Sequence, residues 1–134
     1  MSGESDLDTL ISGMRPELNE GRYVFCTVPG DAVPAGVRPV VTVQEAEGLT
    51  LVLREEEADA AALAYDYVAG WITLRVHSAL DAVGLTGAFA SELAAHGLSC
   101  NVIAGYHHDH LFVPVERAAE AVAVLRDLAA RRAG

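Results

Sequence analysis

Apolar positions along the chain alternate between two spacings, and each change of spacing marks an element. Residues 5–14 carry Leu7, Leu10, Ile11 and Met14 on one helical face, and Pro16 stops the run. The stretch RYVFCTV (22–28) is rich in β-branched and aromatic residues and predicts a strand. PGDAVPAGVRP, with three prolines and two glycines, predicts a loop. VVTVQEAEGLTLVL (40–53) reads as two strands about a turn at Glu47-Gly48, and REEEADAAALA (54–64) as a helix with acidic residues in its first turn, where the helix dipole favours them.

Beyond this point the order recurs. YDYVAGWITLRVHS supplies strand on both sides of Gly70. Leu85, Phe89 and Leu93, at i, i+4 and i+8, predict an amphipathic helix stopped by Gly97. SCNVIAGYHHDHLFVPV repeats strand–turn–strand, and a closing helix carries Ala118, Ala121, Val122, Leu125 and Leu128 on one face. An offset of 60 superposes Leu51 on Leu111, Glu56 on Glu116, Ala58 on Ala118 and Ala61 on Ala121. The connection after the first strand is 12 residues (29–40) in one half and 23 (78–100) in the other. The difference is about three helical turns, so the first half lacks its first helix. The fold expected is α+β, two ferredoxin-like βαββαβ halves: residues 1–69 with the leading helix, and residues 70–134. In such a sheet the end of the second half's first strand, near His77, lies beside the start of its third, near His110.

Composition narrows the function. The 134 residues carry a net charge of −10, and all nine basic residues are arginine, too few and too scattered for a phosphate backbone or an anionic lipid surface. No apolar run approaches a membrane span, and the acidic start lacks a signal-peptide pattern, so a cytoplasmic protein is expected. Cys26 and Cys100 form no CxxC pair and read as buried thiols.

At ITLRVHSALDAVGLTGAFASELAAHGLSCNVIAGYHHDHLFVP the sequence resembles an ACT domain, the amino-acid-sensing module of aspartate kinases. The segments YVFCTVP, EAEGLTLVL, ITLRVHSALDAVGLT and SCNVIAGYHHDHLFVP extend the likeness to a bacterial family of small proteins with two tandem ACT-like halves. Fold transfers with such a likeness; activity does not. The family often has a second aromatic residue after the tyrosine at Tyr106, where this chain has His107; His108-Asp109-His110 follows the family pattern.

A helix start has backbone N–H groups free to hold a carboxylate. The resemblance implies that an effector amino acid sits at the loop before the second half's first helix. It nominates His77, Ser78, Ala79, Leu80, Asp81, Val83, Gly84 and Leu85, with Asn101 and Val102 on the adjoining strand; the strand order puts His108, Asp109 and His110 at the pocket edge. Ser78 or Asp81 acting as helix caps is the plainer reading of the same residues. His108 and His110, two apart on an extended strand, face one side and would offer two metal donors, but no HxxxH or CxxC spacing supports a metal site. No nucleophile elbow, phosphate loop or cofactor fingerprint occurs. The expectation is a non-enzymatic regulatory module without cofactor or metal, a homodimer that binds an amino acid. An interaction module without a metabolite and a metal-binding protein using His108 and His110 are the alternatives.

Overall fold

The computed structural model describes residues 6–78 and 80–134. By contacts the chain divides into two compact units, residues 21–69 and residues 1–20 with 70–134.

In the 21–69 unit, β2 (Tyr23–Val28), β3 (Val41–Glu45) and β4 (Gly48–Arg54) form an antiparallel sheet in the order β3-β4-β2. Val24 and Tyr23 add the first residues of β5 (Val68–Arg75), Val68 and Ala69, to its other side. Alternation sends Val24, Cys26 and Val28 of β2, with Leu49, Leu51 and Leu53 of β4, to one face, where Ala58 of α2 (Glu55–Ala60) closes a small core. The residues from 29 to 40 carry no helix, as the short connection predicts. α2 is shorter than its sequence run. Ala62 takes a left-handed φ of 57° and the Leu63 N–H bonds back to the Ala58 carbonyl at 2.9 Å, so the chain turns and Leu63 rejoins the core.

The other unit is ferredoxin-like with one substitution. β5, β6 (Asn101–Ala104) and β7 (Asp109–Pro114) lie in the order β5-β7-β6. α3 (Leu85–Ala95) and α4 (Ala118–Ala133) cover one face. The fourth position, beside β5, belongs to β1 (Arg15–Leu18), antiparallel from Arg15↔Arg75 to Leu18↔Ile72. A four-residue segment with a central proline gives little strand signal, yet an edge strand tolerates proline. The leading helix α1 (Leu7–Gly13), capped by Asp6 accepting from the Thr9 N–H at 3.0 Å, buries Leu10 and Ile11 in the same core as Phe89, Leu93, Leu111 and Leu125. The leading segment, first in chain order, thus packs with residues 70–134.

The two strands expected on either side of Gly70 are one continuous strand. No turn forms there because Gly70 is pressed against a helix: a Cβ built on it would lie 2.6 Å from the Ala118 Cβ. We predict that Gly70→Val destabilises the protein by about 1–3 kcal/mol through overpacking. Ala118→Gly in the same chain should restore part of the loss in urea denaturation.

Candidate functional site

Two segments of the second unit meet at the candidate site: the loop leading into α3, and the β6–β7 hairpin turn. The turn is closed by the Gly105 N–H donating to the His108 carbonyl at 2.9 Å, with Tyr106 and His107 at its tip. Gly105 has no room for a side chain, since a Cβ would lie 2.7 Å from the His108 oxygen and 3.1 Å from His110 Nε2. α3 starts from Gly84, held at a left-handed φ of 98°, and no side chain caps it. The first intrahelical bond runs from the Ala88 N–H to the Gly84 carbonyl, so the preceding amides of the first turn have no helical acceptor.

Between these segments is a small cavity of about 70 Å³. Of the residues expected at the site, Ser78, Leu80, Leu85, His108 and Asp109 line it. Ala82, Thr86 and Ala104 to His107 join them; only the hairpin's position beside the loop hinted at these. Not among the lining residues are His77, Asp81, Val83, Gly84, Asn101, Val102 and His110. Ala79 lies outside the described residues. Gly84, expected to admit a ligand to the backbone, instead makes the turn into α3 against Leu7, whose Cδ2 would stand 3.2 Å from an added Cβ. The helix-cap reading of Ser78 or Asp81 meets the same geometry, because the capping position is Gly84.

Asp109 is 9% exposed and alternates onto the face of Leu111 and Val113. Burial holds its carboxyl above the ordinary carboxylate value, with His110 and His108 opposing. His110 falls on the opposite face of β7, and His108 immediately precedes the strand. The partner of His110 is Trp71, whose indole N–H donates to His110 Nδ1 at 3.1 Å. An acceptor Nδ1 makes His110 a neutral imidazole protonated on Nε2. Its pKa is lowered, by burial first and then by His108, against the pull of Asp109. His108 Nε2 lies 3.3 Å from Arg75, which itself holds Glu17 of β1 in a two-pronged ion pair at 3.0 and 3.2 Å. Because arginine only donates, His108 Nε2 accepts, and the proton sits on Nδ1, a buried atom with no hydrogen-bond partner. Among the described residues no three His, Cys, Asp or Glu side chains converge as a metal site. Burial pushes the Cys100 thiol up to about 11 and raises Cys26 as well, so neither is an activated nucleophile.

Two ACT domain family models match the chain, one over residues 2–70 and the other over 67–127. The chain belongs to the ACT domain family. Among solved structures it is similar to VC0802 from Vibrio cholerae, described as a protein of unknown function and possible transport protein. That likeness has 51% identity and a TM-score of 0.84, over 92% of this chain and 95% of that one. Atu0741 from Agrobacterium tumefaciens shares the fold at 19% identity and a TM-score of 0.67, covering 87% and 89%. So does the regulatory subunit of aspartate kinase from Thermus flavus, at 10% and 0.57, covering 87% and 96%. A comparison with curated proteins found no match. Among the described residues no helix is long and apolar enough to cross a membrane.

Trp71 is the sole tryptophan and therefore reports on His110. A histidine whose folded pKa lies below its ordinary 6.5 contributes fully to stability above that value and loses the contribution as pH falls through the folded pKa. We predict a change in native Trp71 fluorescence on acidification below 6.5, with a parallel fall in stability. His110→Phe should abolish the fluorescence step.

Proposed function

We propose that this protein is a non-enzymatic regulatory module that binds an amino acid at the cavity between the α3 start and the β6–β7 turn. One observation carries the reading: the same cavity brings together Asp109 and the uncapped first turn of α3. A free amino acid is a zwitterion. Its carboxylate suits the unpaired amides and positive dipole end of α3, and its ammonium suits the buried, underneutralised Asp109. A bound ammonium would oppose, by its charge, the desolvation that raises the Asp109 pKa.

The cavity is smaller than the roughly 300–1,000 Å³ of typical ligand pockets. At about 70 Å³ it takes the polar head of a small amino acid, and the rest of the ligand extends outward. Leu80, Val83 and Tyr106, 73%, 84% and 82% exposed, stand around the loop and the turn. Such a concentration of exposed apolar side chains supports a second copy of the chain covering the site in a homodimer. The fold likeness to a regulatory subunit of aspartate kinase favours regulation over catalysis.

The test separates stability from binding. Gly87, in the first turn of α3, has nothing within 4 Å of an added Cβ. Gly87→Asp should therefore raise the melting temperature, because it removes a helical glycine and adds a carboxylate at the positive end of the helix. It should also weaken amino-acid binding. Asp109→Asn should likewise stabilise the free protein, by removing a buried charge, and weaken binding. A thermal-shift screen of the twenty amino acids with EDTA present identifies the ligand; a flat screen overturns the amino-acid reading. Opposite effects on stability and binding in both variants are the expected outcome, and a hit whose affinity neither variant alters would move the site elsewhere.

A further inference from the structure

Arginine is the chain's only cation, outnumbered 19 to 9 by acidic residues, so an arginine without a carboxylate is informative here. Six of the nine are ion-paired: Arg22, Arg54, Arg75, Arg117, Arg131 and Arg132. Among the described residues the guanidinium groups of Arg15, Arg38 and Arg126 have no such partner. Two of these three line one groove, between the C-terminal half of α4 and the segment from the end of α1 into β1. Its volume is about 460 Å³, within the usual range for a small ligand. Ala130 and Ala133 contribute exposed apolar walls, and the buried Met14 and Pro16 also line the groove. The groove's one carboxylate, Glu17, is already neutralised by Arg75, which also lowers its pKa. The carbonyl end of α1 is covered too, since Arg15 Nη1 donates to the Ser12 and Met14 oxygens at 3.3 and 3.0 Å.

We propose that this groove binds a small organic carboxylate with an apolar body, its anion held by Arg126 with Arg15 and its body laid along Ala130 and Ala133. Guanidinium groups match a carboxylate in charge and fork geometry, and the apolar walls match the remainder. The ligand bridges the leading segment to α4 and so tightens the docking of β1. The site shares no residue with the cavity at α3.

The experiment is calorimetric titration of the full chain with octanoate, acetate and octylammonium as probes. Octanoate should bind one per chain, acetate far more weakly and octylammonium not at all. Arg126→Gln should weaken octanoate by about tenfold or more, the scale of a lost charge-assisted hydrogen bond. Ala130→Trp should block it by filling the groove, while Arg38→Gln should leave it unchanged. Arg15→Gln also removes contacts to α1, so the decision rests on Arg126 and Ala130, each checked for an unchanged circular dichroism spectrum. Bound octanoate should slow amide hydrogen exchange in Arg15–Leu18. No octanoate binding overturns the proposal. So does octanoate binding that survives Arg126→Gln but is lost in Gly87→Asp, which would place the anion at α3. A dimer that dissociates in Arg126→Gln would give the groove to a second copy and overturn it as well.

Discussion

The antiparallel pairing of β1 with β5 is the constraint on which the second unit depends. In the ferredoxin-like order a strand following the last helix would sit beside β5; here β1 holds that position. The pairing does more than fill an edge. It brings Glu17 to Arg75, Arg75 to His108, and the Asn19 amide to Thr73 Oγ1 at 2.9 Å, so a buried hydroxyl on β5 is satisfied from the leading segment. α1 follows the same route, adding Leu10 and Ile11, with Met14 just beyond its end, to the core that includes residues of α3 and α4. Ion pairs from α4 fasten the assembly at two points, Arg132 to Asp8 and Arg131 to Glu92. Exposed pairs of this kind contribute little each, and the buried apolar face of α1 carries most of the docking.

The candidate cavity of the second unit draws its properties from the two faces of β7. Odd positions from Asp109 to Val113 enter the helix-covered face, so the aspartate lies among apolar residues and retains a costly charge. The even position His110 lies on the other face, and Trp71 at His110 and Arg75 at His108, just before the strand, fix which nitrogen of each ring carries the proton. Of the histidines most conspicuous in the sequence, His107 and His108 line the candidate cavity and His110 stands beside it, while Asp109 is the group with an unmet electrostatic need. The glycine starting α3 completes the arrangement. A serine or aspartate at that capping position would satisfy the amides that Gly84 leaves free.

Much of the fold was legible in the sequence because the helices and long strands bury one face each, and their periodicity records it. Leu85, Phe89 and Leu93, and the Ala118 to Leu128 series, are all buried. The offset of 60 and the unequal connections revealed the tandem halves and the missing helix. β1 was not legible: RPEL is too short for a period, only Pro16 in it is buried, and its partner lies 54 or more residues away in the chain. The continuity of β5 was hidden for a related reason, since a glycine that marks a turn by local rules serves here to admit Ala118. The loop and hairpin meet at one cavity, as strand order implied, and five of the expected residues line it. The roles of Gly84 and His110 depended on contacts with Leu7 and Trp71 that no local pattern encodes.

The reach of the leading segment also orders events during synthesis. The salt bridge between Asp8 and Arg132 spans 124 positions, and β1 has no partner until residues 72–75 exist. Residues 21–69, by contrast, have every strand of their own sheet once Ala69 has been added. Loop closure over such distances is slow relative to local pairing. The leading segment, made before its partners, is therefore late to reach its place, and an apolar helix with Leu10 and Ile11 stays uncovered while the residues after it are assembled.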